Sequence, residues 1–117
     1  MVPLLLQEAR RDPVLLARVV RAACEAPADL FGFARGRLEQ GRSADFMVVD
    51  PREPLTIRGS NLASKCGWTP FEGWPMARIE AHFLRGEPIV EGAAFIGRPG
   101  HGRPLQAPAQ AAMPGAG

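Results

Sequence analysis

The residues best suited to chemistry fall in one ten-residue run, Ser64-Lys65-Cys66-Gly67-Trp68-Thr69-Pro70-Phe71-Glu72-Gly73. A serine beside a lysine could form a nucleophile–base pair, and a thiol beside a lysine could be held as a thiolate. Spacing weakens both readings. Neighbouring residues of an extended segment project to opposite sides, so Ser64 and Lys65 are poorly placed to meet. No histidine base lies nearby in the sequence. Pro70 and Gly73 set the path of the run, and burial of Trp68 and Phe71 would anchor it. The expectation is an architectural loop in which Lys65 and Glu72 pair locally.

Metal chemistry fares no better. The two histidines, His82 and His101, form no HxH or HExxH pattern, and a catalytic zinc usually takes three protein ligands. His82 reads as a solvent-facing strand residue and His101 as a tail residue. Gly97-Arg98-Pro99-Gly100-His101-Gly102-Arg103 could cradle a phosphate only ahead of a helix N-terminus. Pro104-Leu105-Gln106-Ala107-Pro108 offers none, so Arg98 and Arg103 are expected to be solvated or pinned to a neighbouring surface. Asp45 and Asp50 sit at the two ends of one expected strand and do not make an acid–base pair. No catalytic, cofactor-binding or metal-ligating residue is assigned.

The elements that would position these residues are of two kinds. Asp12-Pro13 is a helix start, with Asp12 as N-cap and Pro13 at the first helical position. Leu15, Leu16, Val19, Val20 and Ala23 then recur at helical spacing, which predicts a helix over 13–25. Pro27 is expected to stop it and to open a short turn, Ala28 to Phe31, ended by Gly32. Residues 3–10 read as another helical segment. After Gly36 the character changes. Ala44 to Asp50 is a β-rich run closed by Pro51, and Leu55 to Arg58 is a shorter strand. Met76 to Arg85 alternates as a strand, Gly86-Glu87-Pro88 turns, and Ile89-Val90 pairs back as a hairpin. The order is α+β: a helical segment over 1–35, a β-rich part over 36–96, and a Gly/Pro/Ala-rich flexible tail over 97–117.

Composition bounds the rest. The chain has 117 residues, 46% hydrophobic and 22% charged, with a net charge of +2. That is ordinary for one globular domain and too weakly basic to point to nucleic acid or an anionic membrane. No apolar run approaches the roughly 20 residues of a membrane span, and no signal peptide is read at the start. A cytoplasmic protein with Cys24 and Cys66 reduced is expected.

Three segments, in order, resemble the C-terminal end of dihydroorotases and related cyclic-amide hydrolases of the amidohydrolase superfamily. Pro27-Ala28-Asp29-Leu30-Phe31-Gly32-Phe33, with Gly36 to Asp50, is similar to the passage "NPA-x-x-FG…G-x-L-x-x-G-x-x-ADLVLVD", with Ala26 in place of the usual asparagine. The 64–73 run is similar to "K-x-x-x-(T/S)-P-(F/Y)-x-G" of dihydroorotases and allantoinases. Ile79 to Val90 resembles the closing "T-x-V-R-G-x-x-V" hairpin, and Val2-Pro3-Leu4-Leu5-Leu6 matches the "lPLLL" that opens the last helices.

The resemblance implies a metal-dependent (β/α)8 barrel with a small composite β-sandwich domain. This chain would supply the last barrel helices and part of the small domain. The barrel is incomplete, since it needs about 250 residues. The family's zinc ligands and substrate-binding residues would precede this segment, so no metal or catalytic residue transfers to it. The expected activity belongs to the parent: reversible closure of N-carbamoyl-aspartate to dihydroorotate in pyrimidine biosynthesis. The expected partner is the missing N-terminal barrel portion, or a homo- or hetero-oligomer. Alternatives are a non-catalytic structural subunit, an allantoinase or hydantoinase fragment, and, last, a small enzyme using Cys66 or Ser64.

Overall fold

The computed structural model describes residues 1–92 and 94–106. Helix α1 (Val2–Ala9) leads into α2 (Pro13–Val20), a π-helical turn (Arg21–Glu25) and α3 (Ala26–Phe31). Strands β1 (Phe46–Thr56), β2 (Pro75–Leu84), β3 (Glu87–Glu91) and β4 (Ala94–Phe95) follow. They form one antiparallel sheet in the order β1-β2-β3-β4. The class is α+β. The segment 107–117, including the closing Met113-Pro114-Gly115-Ala116-Gly117, lies outside the described residues.

Asp12 caps α2 as its sequence demands: the carboxylate accepts from the backbone N–H of Val14 at 2.9 Å and of Leu15 at 3.1 Å. The helix does not stop at Pro27, however. A wide turn at Arg21–Glu25, in which the Ala26 N–H reaches back to the Arg21 carbonyl, carries the chain into α3. Proline has no N–H to give and crowds the preceding turn, so an interior proline must cost a helix one bond. Here the turn just before Pro27 absorbs that loss, because its pairing has already widened to five residues where the proline enters. Gly32, left-handed with φ 68°, ends α3.

Pro51 likewise fails to close the first strand. β1 runs on through Pro51 and Pro54 and absorbs the expected second strand as far as Thr56. β1 is the edge of the sheet, where a proline's missing donor can face outward. Pairing with β2 breaks between Asp50 and Leu55, so neither proline needs a ladder partner. The Pro51 carbonyl is served from outside the sheet. Gln7 of α1, 2% exposed, donates its side-chain amide to Pro51 at 3.2 Å and accepts from Arg10 at 3.2 Å. A buried amide without partners would be costly, so this pairing fixes how α1 lies over the sheet.

Two-residue connection of β2 to β3 needs positive φ at both positions, and Arg85 (φ 51°) and Gly86 (φ 80°) supply it. On the sheet, Phe46 and Phe83 are register partners and stack with centroids 4.6 Å apart. The core itself is thin. Among the described residues, the buried apolar side chains are Ala9, Ala28, Ile57 and Ala77. The stripe on α2 that should face a core is uncovered: Leu15, Leu16 and Val20 are 37–42% exposed, and α2 buries no residue.

Candidate functional site

The 64–73 run lies between β1 and β2, as the sequence suggests for a connection between strands. What holds it differs from expectation. Trp68 is 66% exposed and Phe71 39%, so neither anchors the loop by burial. Among the described residues no surface covers them. Phe71 instead meets Trp74 edge-on at 5.5 Å, a contact between two side chains that both remain largely in solvent.

The anchor is Glu72. Its carboxylate accepts from the Gly59 N–H at 2.6 Å and lies 3.6 Å from the Arg58 guanidinium, so its cation is Arg58 and not Lys65. A carboxylate taking a backbone N–H makes a short, charge-assisted bond. The main chain closes the base of the loop. Ile57 N–H donates to the Trp74 carbonyl, and Gly73 N–H to the Ile57 carbonyl, each at 2.9 Å. Gly59 must be glycine for packing: a Cβ there would stand 2.7 Å from the Gly67 oxygen and 2.9 Å from the Trp68 Cα. Gly59 therefore packs backbone to backbone against the middle of the loop while its N–H is taken by the Glu72 carboxylate.

Ser64 does not pair with Lys65. Its hydroxyl lies 3.4 Å from the Cys66 sulfur. Lys65 and Cys66 lie in a turn and not in an extended segment, and that turn brings the Cys66 sulfur back to Ser64, a contact strand spacing does not foretell. The thiol donates to the Ser64 hydroxyl, which can donate in its turn once the sulfur ionises, and this bond holds the Cys66 thiol below its ordinary pKa. Both cysteines are free, with Cys66 exposed and Cys24 half-buried. We expect iodoacetamide to modify Cys66 before Cys24, with a rate–pH midpoint below that of an ordinary thiol at about 8.5. Ser64→Ala should raise that midpoint. Mass spectrometry of the labelled chain across pH checks this, and unchanged profiles in S64A would contradict it.

A second cluster gathers where the helices meet the sheet. Asp45 accepts from the Arg85 N–H at 2.7 Å and ion-pairs with Arg35. Gly86 N–H donates to the Ala44 carbonyl at 2.9 Å. His101 is not a free tail residue. Its ring nitrogens lie 3.5 Å from the Leu84 carbonyl and 3.7 Å from Glu87, its side chain is 14% exposed, and Arg85 donates to its carbonyl. Arg98 reaches Glu87 at 3.0 Å. His82, half-buried on β2, pairs in register with Met47 and Val90. Asp50 turns away from Asp45 altogether, clasping Arg52 at 2.7 and 3.0 Å, which pushes its carboxyl down to about 2.

The contacts of Glu72 and Asp45 in this arrangement hold backbone N–H groups in place. The lineage of the chain is decided by comparison. The chain is 37% identical over 99 residues to a dihydroorotase of Pyrococcus furiosus, covering 84% of this chain and 24% of that protein. Against dihydroorotases of Halobacterium salinarum and Methanosarcina acetivorans it is 40% identical over 100 residues and 38% over 109. Those matches cover 82% and 91% of this chain, and 24% and 23% of the relatives. The chain belongs to the dihydroorotase family. It spans about a quarter of the length of the curated relatives it matches. It matches no protein-family model.

Zinc, which the resemblance attaches to dihydroorotases, finds no donor set among the described residues. Among the described residues no three His, Cys, Asp or Glu side chains converge. No step of a reaction is therefore derived through a metal here. None of the described helices is long and apolar enough to cross a membrane.

Proposed function

We propose that this chain is the structural closing segment of a dihydroorotase whose catalytic residues lie on a (β/α)8 barrel contributed by further polypeptide. On this reading α1 to α3 are the last helices on the outside of the barrel. The four-stranded sheet is part of the small composite β-domain, and the whole protein interconverts N-carbamoyl-aspartate and dihydroorotate in the cytoplasm. The observation that carries the reading is the uncovered apolar face of α2, with Leu15, Leu16 and Val20 exposed, in a chain matching only 24% of its relatives. An amphipathic helix gains its stability by packing that face. A contiguous exposed apolar stripe marks a surface built to be covered.

The 64–73 loop then serves the same end. Trp68, Trp74 and Phe71 keep their apolar area available for the barrel side while Glu72 fixes the loop from behind. The direct experiment compares this chain alone with the chain co-expressed with polypeptide from the adjoining reading frame. Ring closure of N-carbamoyl-aspartate is expected only in the second sample. Turnover by the isolated chain would refute the proposal. A stable complex without turnover would favour the second reading, a non-catalytic structural subunit, which the same uncovered helix face supports.

A further inference from the structure

We infer that the hollow between the β2–β3 turn and residues 98–103 is a binding site for a phosphate-type dianion. The site is separate from the dihydroorotase reading and does not depend on it. Its observation is a polar hollow of about 400 Å³ lined chiefly by Arg85, Glu87, Arg98, His101 and Arg103. Three arginines and a histidine thus line one surface with a single acidic residue.

The charges do not cancel within it. Glu87 is used twice, at 3.0 Å from Arg98 and 3.7 Å from His101, and both contacts are to the same oxygen. Arg85 turns its guanidinium to the His101 carbonyl, a neutral acceptor. Among the described residues no carboxylate comes within ion-pair reach of Arg103. At least one full positive charge therefore stays uncompensated in a surface shaped to admit a small ligand. Guanidinium forks match the several oxygens of a phosphate better than a single carboxylate does, and each such bond is charge-assisted. Clustering like charges in a cleft also focuses the field on an incoming anion.

The walls are held by contacts independent of any ligand. Arg85 is fixed by its backbone bond to Asp45 at 2.7 Å, and His101 N–H donates to the Arg98 carbonyl at 3.2 Å. Arg103, exposed, is the residue left to close on the anion. The hollow is formed without a helix N-terminus, by the β2–β3 turn and residues 98–103.

The test titrates the full chain, with any polypeptide it is naturally joined to, with inorganic phosphate at constant ionic strength. The readout is the His101 ring resonance, with His82 as internal reference. A saturable shift at His101 alone is expected. Arg103→Ala should weaken it about tenfold, the loss of one good charge-assisted bond. Arg18→Ala, which removes the same charge from α2, should change nothing. A His101 shift no larger than that given by sodium chloride would overturn the proposal, as would equal weakening by R18A and R103A.

Discussion

Replacing Gly36 with alanine is expected to destabilise the fold by about 3 kcal/mol. The figure combines the left-handed penalty of about 1–2 kcal/mol and an overpacking cost of similar size. Gly36 has φ 79°, and a Cβ there would stand 2.4 Å from the Cys24 carbonyl oxygen and 2.8 Å from the Ala28 methyl. Neither neighbour can yield cheaply. The Cys24 carbonyl belongs to the π-helical turn that carries α2 past Pro27, and Ala28 is buried in the first turns of α3. The chain on the other side is also fixed. Arg37 grips Asp29 through two bonds of 2.7 Å and lies 3.6 Å from Glu25, so residue 36 cannot swing outward without breaking them. Gly41→Ala is the control. Its φ is 85° but nothing stands within 4 Å of the added methyl, so it carries the conformational penalty alone, about 1 kcal/mol. Urea unfolding of the two variants checks this. Equal losses would mean that the approach of the 33–37 segment to the helix is not close in solution.

What could be read from the sequence was what neighbouring residues decide among themselves. Asp12 caps α2 because cap and partners lie within three residues. The Leu84–Glu87 hairpin forms because Gly86 accepts the left-handed turn. Pro27 and Pro51 were misleading for a common reason: both act as terminators only when nothing else compensates. A widened turn admits the first, and an edge position beside a break in the ladder with β2 admits the second. His101 was invisible as a packed residue because its partners, Leu84 and Glu87, are brought to it only by the hairpin. In the 64–73 loop the groups that hold the run differ from those its residue types suggest. Aromatic residues suggest burial, yet burial needs an opposing surface, and none of the described residues covers Trp68 or Phe71 fully. Glu72 was assigned to Lys65, its neighbour in the loop, when strand pairing brings Gly59 and Arg58 closer.

Asp45 should prove as sensitive as Gly36, for an electrostatic reason. Its carboxylate, with the side chain 21% exposed, joins the junction after α3, through Arg35, to the β2–β3 turn, through the Arg85 N–H at 2.7 Å. That turn holds Arg85 at φ 51°, a conformation a non-glycine residue adopts reluctantly, so the carboxylate bond and the Gly86-to-Ala44 bond together keep it in place. Asp45→Ala leaves a part-buried N–H without an acceptor and Arg35 without its counter-charge. Loss of a hydrogen bond to a charged group and exposure of an unmet donor each cost about 1–3 kcal/mol, so about 3 kcal/mol in total is expected. Asp45→Asn should lose roughly half as much, since the amide oxygen can still accept from Arg85 but cannot neutralise Arg35. Hydrogen exchange separates these contributions. The Arg85 amide should exchange much faster in D45A than in D45N, while the Ile57 amide, bonded to Trp74 at the far end of β1, should report only the global loss. Equal exchange of Arg85 in both variants would show that the turn is held by its own backbone and that Asp45 serves Arg35 alone.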